Sequence, residues 1–191
     1  MTKLILVTGT AGAGKSTVLS KIAELNAGKL RVINLGSEML DVAKAKFGIT
    51  DRDKLRLIDD KTTIAIRNEI MQRIISTKQD TIIDTHASIK KGRRYRPGFS
   101  IDELQKIRIS AIVYIDATSE EILNRSKADS GRTRAYETVV EIDEWRGVNI
   151  SIISTFAVYL NIPLYIIYNK NGEQGKTAEE VNKITREIIG E

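Results

Sequence analysis

Val7-Thr8-Gly9-Thr10-Ala11-Gly12-Ala13-Gly14-Lys15-Ser16-Thr17 decides the fold class. It follows the apolar run Leu4-Ile5-Leu6, and residues 16–26 after it place Val18, Leu19, Ile22, Ala23 and Leu25 at helical spacing. The segment fits G-x-x-x-x-G-K-[S/T] in full, with the strand before and the helix after that this motif needs. Glycines let backbone N–H groups curl round phosphate oxygens, and the helix start adds its positive dipole end. Lys15 is placed to reach the β- and γ-phosphates, and the Ser16 hydroxyl to coordinate Mg²⁺. The expected cradle for ATP is Gly9, Thr10, Ala11, Gly12, Ala13, Gly14, Lys15, Ser16 and Thr17.

Working outward, short apolar runs alternate with helical patterns to the end of the chain. Strands are expected over residues 3–8, 30–35, 79–84, 108–116 and 163–168. Helices are expected over 16–26, 37–47 (Ser37 as cap), 51–78, 119–128 (Ser119 as cap), 138–160 and 177–189. Residues 90–100 read as a basic loop. Strict alternation of this kind implies a parallel sheet covered by helices on both faces, with the strand-end loops along one edge. The 191 residues contain 41% hydrophobic and 29% charged side chains and no cysteine. That composition indicates one globular domain and excludes a disulfide scaffold or thiolate metal site. No run approaches the ~18–20 apolar residues of a membrane span, so a cytoplasmic protein is expected. The net charge of +5 suits either an anionic partner or an ordinary solvated surface.

Two phosphate-loop classes are disfavoured by specific residues. Asn169-Lys170-Asn171-Gly172 follows the last strand but lacks the carboxylate that would pair with guanine. The third strand ends in Asp84-Thr85, so no glutamate stands beside Asp84 to activate a hydrolytic water. Asp84 is left to hold Mg²⁺ through water, and phosphoryl transfer to an organic acceptor is favoured over hydrolysis. Such transfer needs a cationic cover, for which Arg125, Arg132 and Arg134 around the Gly131 hinge are the candidates. It also needs an acceptor clamp, for which Arg52 and Arg56 share one helix face.

These motifs resemble the archaeal-type adenylate kinases over nearly the whole chain. The matching segments are Val7–Thr17, Asn34-Leu35-Gly36-Ser37-Glu38-Met39, Asp51-Arg52-Asp53-Lys54-Leu55-Arg56, Ile83-Asp84-Thr85-His86-Ala87, Tyr95-Arg96-Pro97-Gly98 and Asp129-Ser130-Gly131-Arg132-Thr133-Arg134. The resemblance implies reversible transfer of the ATP γ-phosphoryl to AMP, giving two ADP, with Mg²⁺ as cofactor. It implies a three-layer α/β/α phosphate-loop fold with five parallel strands in the order 2-3-1-4-5. It also implies a single domain over 1–191, with monophosphate-binding helices at about 36–78 and a short lid at about 126–136. A homotrimer is implied as well. Gly36, Ser37, Met39, Arg56, Asp84 and Gly98 become candidates for substrate binding, and Lys15, Arg125, Arg132 and Arg134 for catalysis.

Two places depart from the family pattern. Residues 88–96 carry more charge than the family usually does and lack its Thr-Pro pair. On the long helix Ile150 stands where the family commonly has an arginine, and Arg146 lies one turn earlier on the same face. His86 is the single histidine; a positioning role is expected, because a phosphate acceptor is already an anion and needs no base. Trp145 is expected to pack. A kinase with another acceptor, such as UMP, CMP or a small metabolite, shares every feature except the acceptor pocket. A nucleotide-dependent RNA-binding protein would use the basic segment 90–96, but no aromatic-rich strand supports it.

Overall fold

The computed structural model describes residues 2–26, 28–51, 54, 58–128 and 136–191. The expected residues Arg52, Asp53, Arg56, Gly131, Arg132 and Arg134 lie outside the described residues.

The central sheet is built from β1 (Leu4–Gly9), β2 (Arg31–Asn34), β3 (Thr81–Asp84), β6 (Ala111–Asp116) and β7 (Leu164–Tyr168), in the order β2-β3-β1-β6-β7 and parallel throughout. Counted among themselves these strands run 2-3-1-4-5; the remaining pair, β4 (Ser88–Lys91) and β5 (Arg94–Pro97), forms a separate antiparallel hairpin. Helices α1 (Lys15–Asn26), α2 (Leu35–Phe47), α3 (Asp60–Ile75), α4 (Ile101–Ile107), α5 (Ser119–Ala128), α6 (Val139–Leu160) and α7 (Gln174–Ile189) complete the described elements.

Why the sheet is covered twice is visible in β1. Its side chains alternate between faces. Leu4 and Leu6 join Ile33, Ile83, Ile112 and Tyr114 under α2, α3, α4 and α6. Ile5 and Val7 join Ile82, Val113, Ile115 and Ile167 under α1 and α7. Burial on both faces is what makes a central parallel strand a continuous apolar run. The parallel register brings Asn34 and Asp84 to one rung beside Val7. β1 then carries the chain past them to Gly9, so the phosphate loop rises over the carboxyl ends of β2 and β3.

The structure corrects several boundaries. The segment 90–100 is not an open loop: Ser88–Lys91 pairs with Arg94–Pro97 around a turn with Gly92 at φ 60°. The strand signal is hidden because its inward positions are polar. Ser88 is buried, and the Lys90 side chain is covered over the Tyr95 ring with its ammonium facing Glu141, while Ile89 is exposed. Helix α2 starts at Leu35, because Asn34 and not Ser37 is the cap, its Oδ1 accepting from Ser37 N at 2.9 Å. Helix α3 starts at Asp60, where Asp59 accepts from Thr62 N at 2.8 Å. Ser119 is inside α5; Thr118 Oγ1 accepts from Glu121 N at 3.2 Å, and Ser119 donates to Asp143 instead. The short α4, with a Ser100–Glu103 capping box, is an element the sequence reading lacks, and it delays β6 to Ala111. Among the described residues no helix is long and apolar enough to cross a membrane.

Candidate active site

The loop from Gly9 to Lys15 is held from behind by its carbonyls. Tyr136 donates to Ala11 O at 2.9 Å. Asn169 Nδ2 and Arg125 Nη1 donate to Ala13 O at 2.8 and 3.1 Å. In a planar trans peptide the N–H points opposite to the carbonyl. Pinning Ala11 O and Ala13 O outward therefore aims the Gly12 and Gly14 N–H groups the other way, into the cradle. Gly14 has φ 84°, and a Cβ there would run into Asn169 Nδ2. The glycine is thus required both by its left-handed backbone and by the asparagine that braces it.

Lys15 is buried, and its Nζ is hydrogen-bonded to Asp84 Oδ1. Burial pushes the ammonium down to about 8, while the carboxylate against it pulls the other way. The second Asp84 oxygen accepts from Asn34 Nδ2 at 2.6 Å, and Asn34 Oδ1 caps α2 by accepting from Ser37 N and Oγ. One polar chain therefore runs from the cradle lysine to the start of α2, where Gly36, Ser37 and Met39 lie. Ser16 is exposed at the first turn of α1. Among the described residues no cluster of three or more His, Cys, Asp or Glu side chains could cage a metal alone. A divalent ion at this site would depend on phosphate oxygens for most of its ligands.

Gly98 follows the hairpin. Its N–H donates to Ala87 O at 2.9 Å, and its carbonyl accepts from Arg67 Nη2 at 2.9 Å. Arg67 also forks onto Glu103 at 2.6 and 2.7 Å and lies over the Phe99 ring. A Cβ at Gly98 would collide with the His86 carbonyl oxygen. Both partners are backbone, so no rotamer change relieves the contact. Gly98→Ala should destabilise the protein by about 1–3 kcal/mol, as overpacking does; a thermal melt with an unchanged midpoint would contradict this close approach.

The residues expected from sequence divide as follows. Gly9–Thr17, Asp84 and Arg125 are brought together, and Gly36, Ser37 and Met39 follow at the end of β2. Arg125 donates through its three guanidinium nitrogens to Ala13 O, Asn169 O and Asn171 Oδ1 at 3.1, 2.7 and 2.8 Å. It braces the loop after β7 against the cradle. Arg146 is committed elsewhere: it forks onto the buried Asp116 at 3.0 and 2.7 Å and reaches Ser119 and Asp143. Those hydrogen bonds hold its guanidinium pKa further above the ordinary arginine value. Ile150 packs on the main core. Trp145 is buried edge-on to Tyr136, centroids 6.0 Å apart. Sequence reasoning named Asn34 and Asn169 only as members of motifs, without a bracing role, and missed Arg67, Tyr136 and Asn149. Only Asn34 carries a local signal, an asparagine directly before a helix.

Comparison with known proteins agrees with this geometry. Residues 8–143 match the family described as AAA domain. An adenylate kinase of Thermoplasma acidophilum is 31% identical over 179 residues, covering 94% of this chain and 96% of that protein. One from Methanococcus aeolicus is 30% identical, covering 96% and 98%. Among solved structures, the YorR protein of Bacillus subtilis in complex with phosphorylated GDP superposes with a TM-score of 0.62 at 17% identity, covering 99% of both chains. Shikimate kinase from Acinetobacter baumannii gives 0.55 at 18% identity, covering 100% of this chain and 94% of that one. These two share the fold. Full-length matches at this identity, on a chain whose cradle, Asp84 and α2 entry converge as described, place it in the adenylate kinase family.

Proposed function

We propose that the chain transfers the γ-phosphoryl of ATP to AMP, reversibly, giving two ADP. The observation that carries this reading is the Lys15–Asp84–Asn34–Ser37 chain, which ties the phosphate cradle to the entry of α2. In this reading Gly9–Thr17 hold the ATP phosphates through backbone N–H groups. Lys15 leaves Asp84 to neutralise the migrating group. Gly36, Ser37, Met39, Arg56 and Gly98 receive the monophosphate, and Arg125, Arg132 and Arg134 supply positive charge to the phosphates. Residues 36–78 act as the acceptor arm and 126–136 as the cover. The exposed Ser16 hydroxyl and the Asp84 carboxylate fit a Mg²⁺ brought in on the phosphates, whose contribution is charge neutralisation. Catalysis is positioning plus electrostatics, with no side chain forming a covalent bond.

Homotrimer formation is carried over from the resemblance, and a cytoplasmic location from the lack of any apolar run of membrane-spanning length in the sequence. Exposed Val158, Tyr159, Ile166 and Tyr168 on α6 and β7 support self-association. A different acceptor is the second reading. It is favoured by the exposed cations Lys91, Arg93, Arg94 and Arg96 on the hairpin beside Gly98.

The test is ADP formation from MgATP with AMP, GMP, CMP and UMP in turn. Turnover with AMP well above the others is expected. Preferential turnover with another monophosphate would overturn AMP as acceptor, and binding of ATP without transfer to any of them would overturn the reaction.

A further inference from the structure

A buried chain of hydrogen bonds runs from the hairpin to the phosphate loop. Trp145 Nε1 donates to Ser88 Oγ at 2.9 Å, and Ser88 Oγ donates to Asn149 Oδ1 at 2.6 Å. Asn149 Nδ2 donates to Thr10 Oγ1 at 3.0 Å, and Thr10 Oγ1 meets the Tyr114 hydroxyl at 2.8 Å. All five side chains are buried, Asn149 and Tyr114 completely. The directions are consistent along the chain. An indole nitrogen can only donate, so Ser88 accepts from it, and its own proton goes to Asn149 Oδ1. That sets the asparagine amide with its oxygen toward the hairpin and its nitrogen toward the loop. Trp145 and Asn149 stand one turn apart on α6 and so share a face.

Thr10 sits inside the cradle, and Ser88 opens the hairpin that leads to Gly98. We infer that Asn149, with Ser88, is a positioning residue that couples the arrangement of the phosphate loop to that of the acceptor-side hairpin. The inference deepens the proposed function and rests on it for the identity of the acceptor. Burial makes the coupling stiff. If the loop shifts when it takes up phosphate, Thr10 moves, and the amide must follow or leave a buried polar group unpaired. The hairpin is then set for the acceptor by the state of the donor site.

The chain's single tryptophan is the end of this path; it also meets Tyr136, which binds Ala11 O, so the coupling is read from whether Ser88→Ala removes the emission change, and a change that persists in that variant overturns the inference. MgATP alone should change Trp145 emission in the unmodified protein. Ser88→Ala should abolish that change while calorimetry shows MgATP affinity altered by less than about threefold. In both Ser88→Ala and Asn149→Ala, kcat should fall about 10- to 10²-fold with a raised KM for the monophosphate, the penalty of a misplaced acceptor. Ser88→Ala removes one hydroxyl, and the fluorescence of the unmodified protein needs no variant, so unfolding of Asn149→Ala does not decide the matter. Emission that ignores saturating MgATP, or variants with unchanged kcat and KM, would overturn the inference. Loss of transfer to every monophosphate with the emission change intact would refute the acceptor reading and leave the coupling supported.

Discussion

Lys15→Ala should lower ADP formation from MgATP and AMP by about 10³-fold or more, the scale on which a cation at a migrating phosphoryl acts. Lys15 is the cation on the cradle side, held at the centre of the site against Asp84. Its replacement by a methyl group leaves the backbone cradle intact, because the loop carbonyls are pinned by Tyr136, Asn169 and Arg125 through hydrogen bonds that do not involve the lysine side chain. MgATP affinity should therefore fall much less than kcat. The variant also leaves the buried Asp84 carboxylate with the Asn34 amide but without its cation, so the melting point should drop too. Rates must be compared below both midpoints. A folded variant keeping most of its turnover would remove Lys15 from the chemistry.

Arg146→Ala should destabilise the fold by at least as much as the upper end expected for Gly98→Ala. Asp116 is almost fully buried at the end of β6, and the guanidinium fork is its charge partner. Removing one member of such a pair strands the other. The usual cost is about 3–5 kcal/mol, and the partial exposure of Arg146 argues for the lower end, about 3 kcal/mol. For a chain of this size that is a fall in Tm of about 6–12 °C. Arg146→Lys should recover only part of it, since a single ammonium cannot fork. A thermal melt checks both. Were Arg146 instead a phosphate ligand standing in for the family arginine at Ile150, the alanine variant would melt normally and lose turnover alone.

The fold is legible in the sequence because its signal is local. A buried strand, a glycine turn and a helix occupy consecutive residues from Leu4 to Asn26, and each apolar run later in the chain repeats the first half of that pattern. The cradle and Asp84 are legible for the same reason. What is not legible is how the site is braced. Tyr136, Asn149 and Asn169 are distant in sequence from the carbonyls and hydroxyls they bind, and nothing in their neighbours marks them. The hairpin fails differently. Its inward side is Ser88 and Lys90, so the alternation that identifies a strand is inverted, and charge makes it read as a loop. In the sequence Asn169 stands out only as part of an incomplete guanine signature; its amide instead serves Ala13 O.

That inverted hairpin divides the freedom to change unevenly. Ile89, Lys91 and Arg94 project outward, whereas Ser88 is wired into Asn149 and Lys90 is closed over Tyr95. Outward positions can drift, exchange charge or acquire a new preference without disturbing the nucleotide cradle. Inward ones cannot drift without a matching change on α6. Substitutions accumulating in this segment would fall on every second residue and spare the others, and a hairpin borrowed from a relative would need the helix face that came with it.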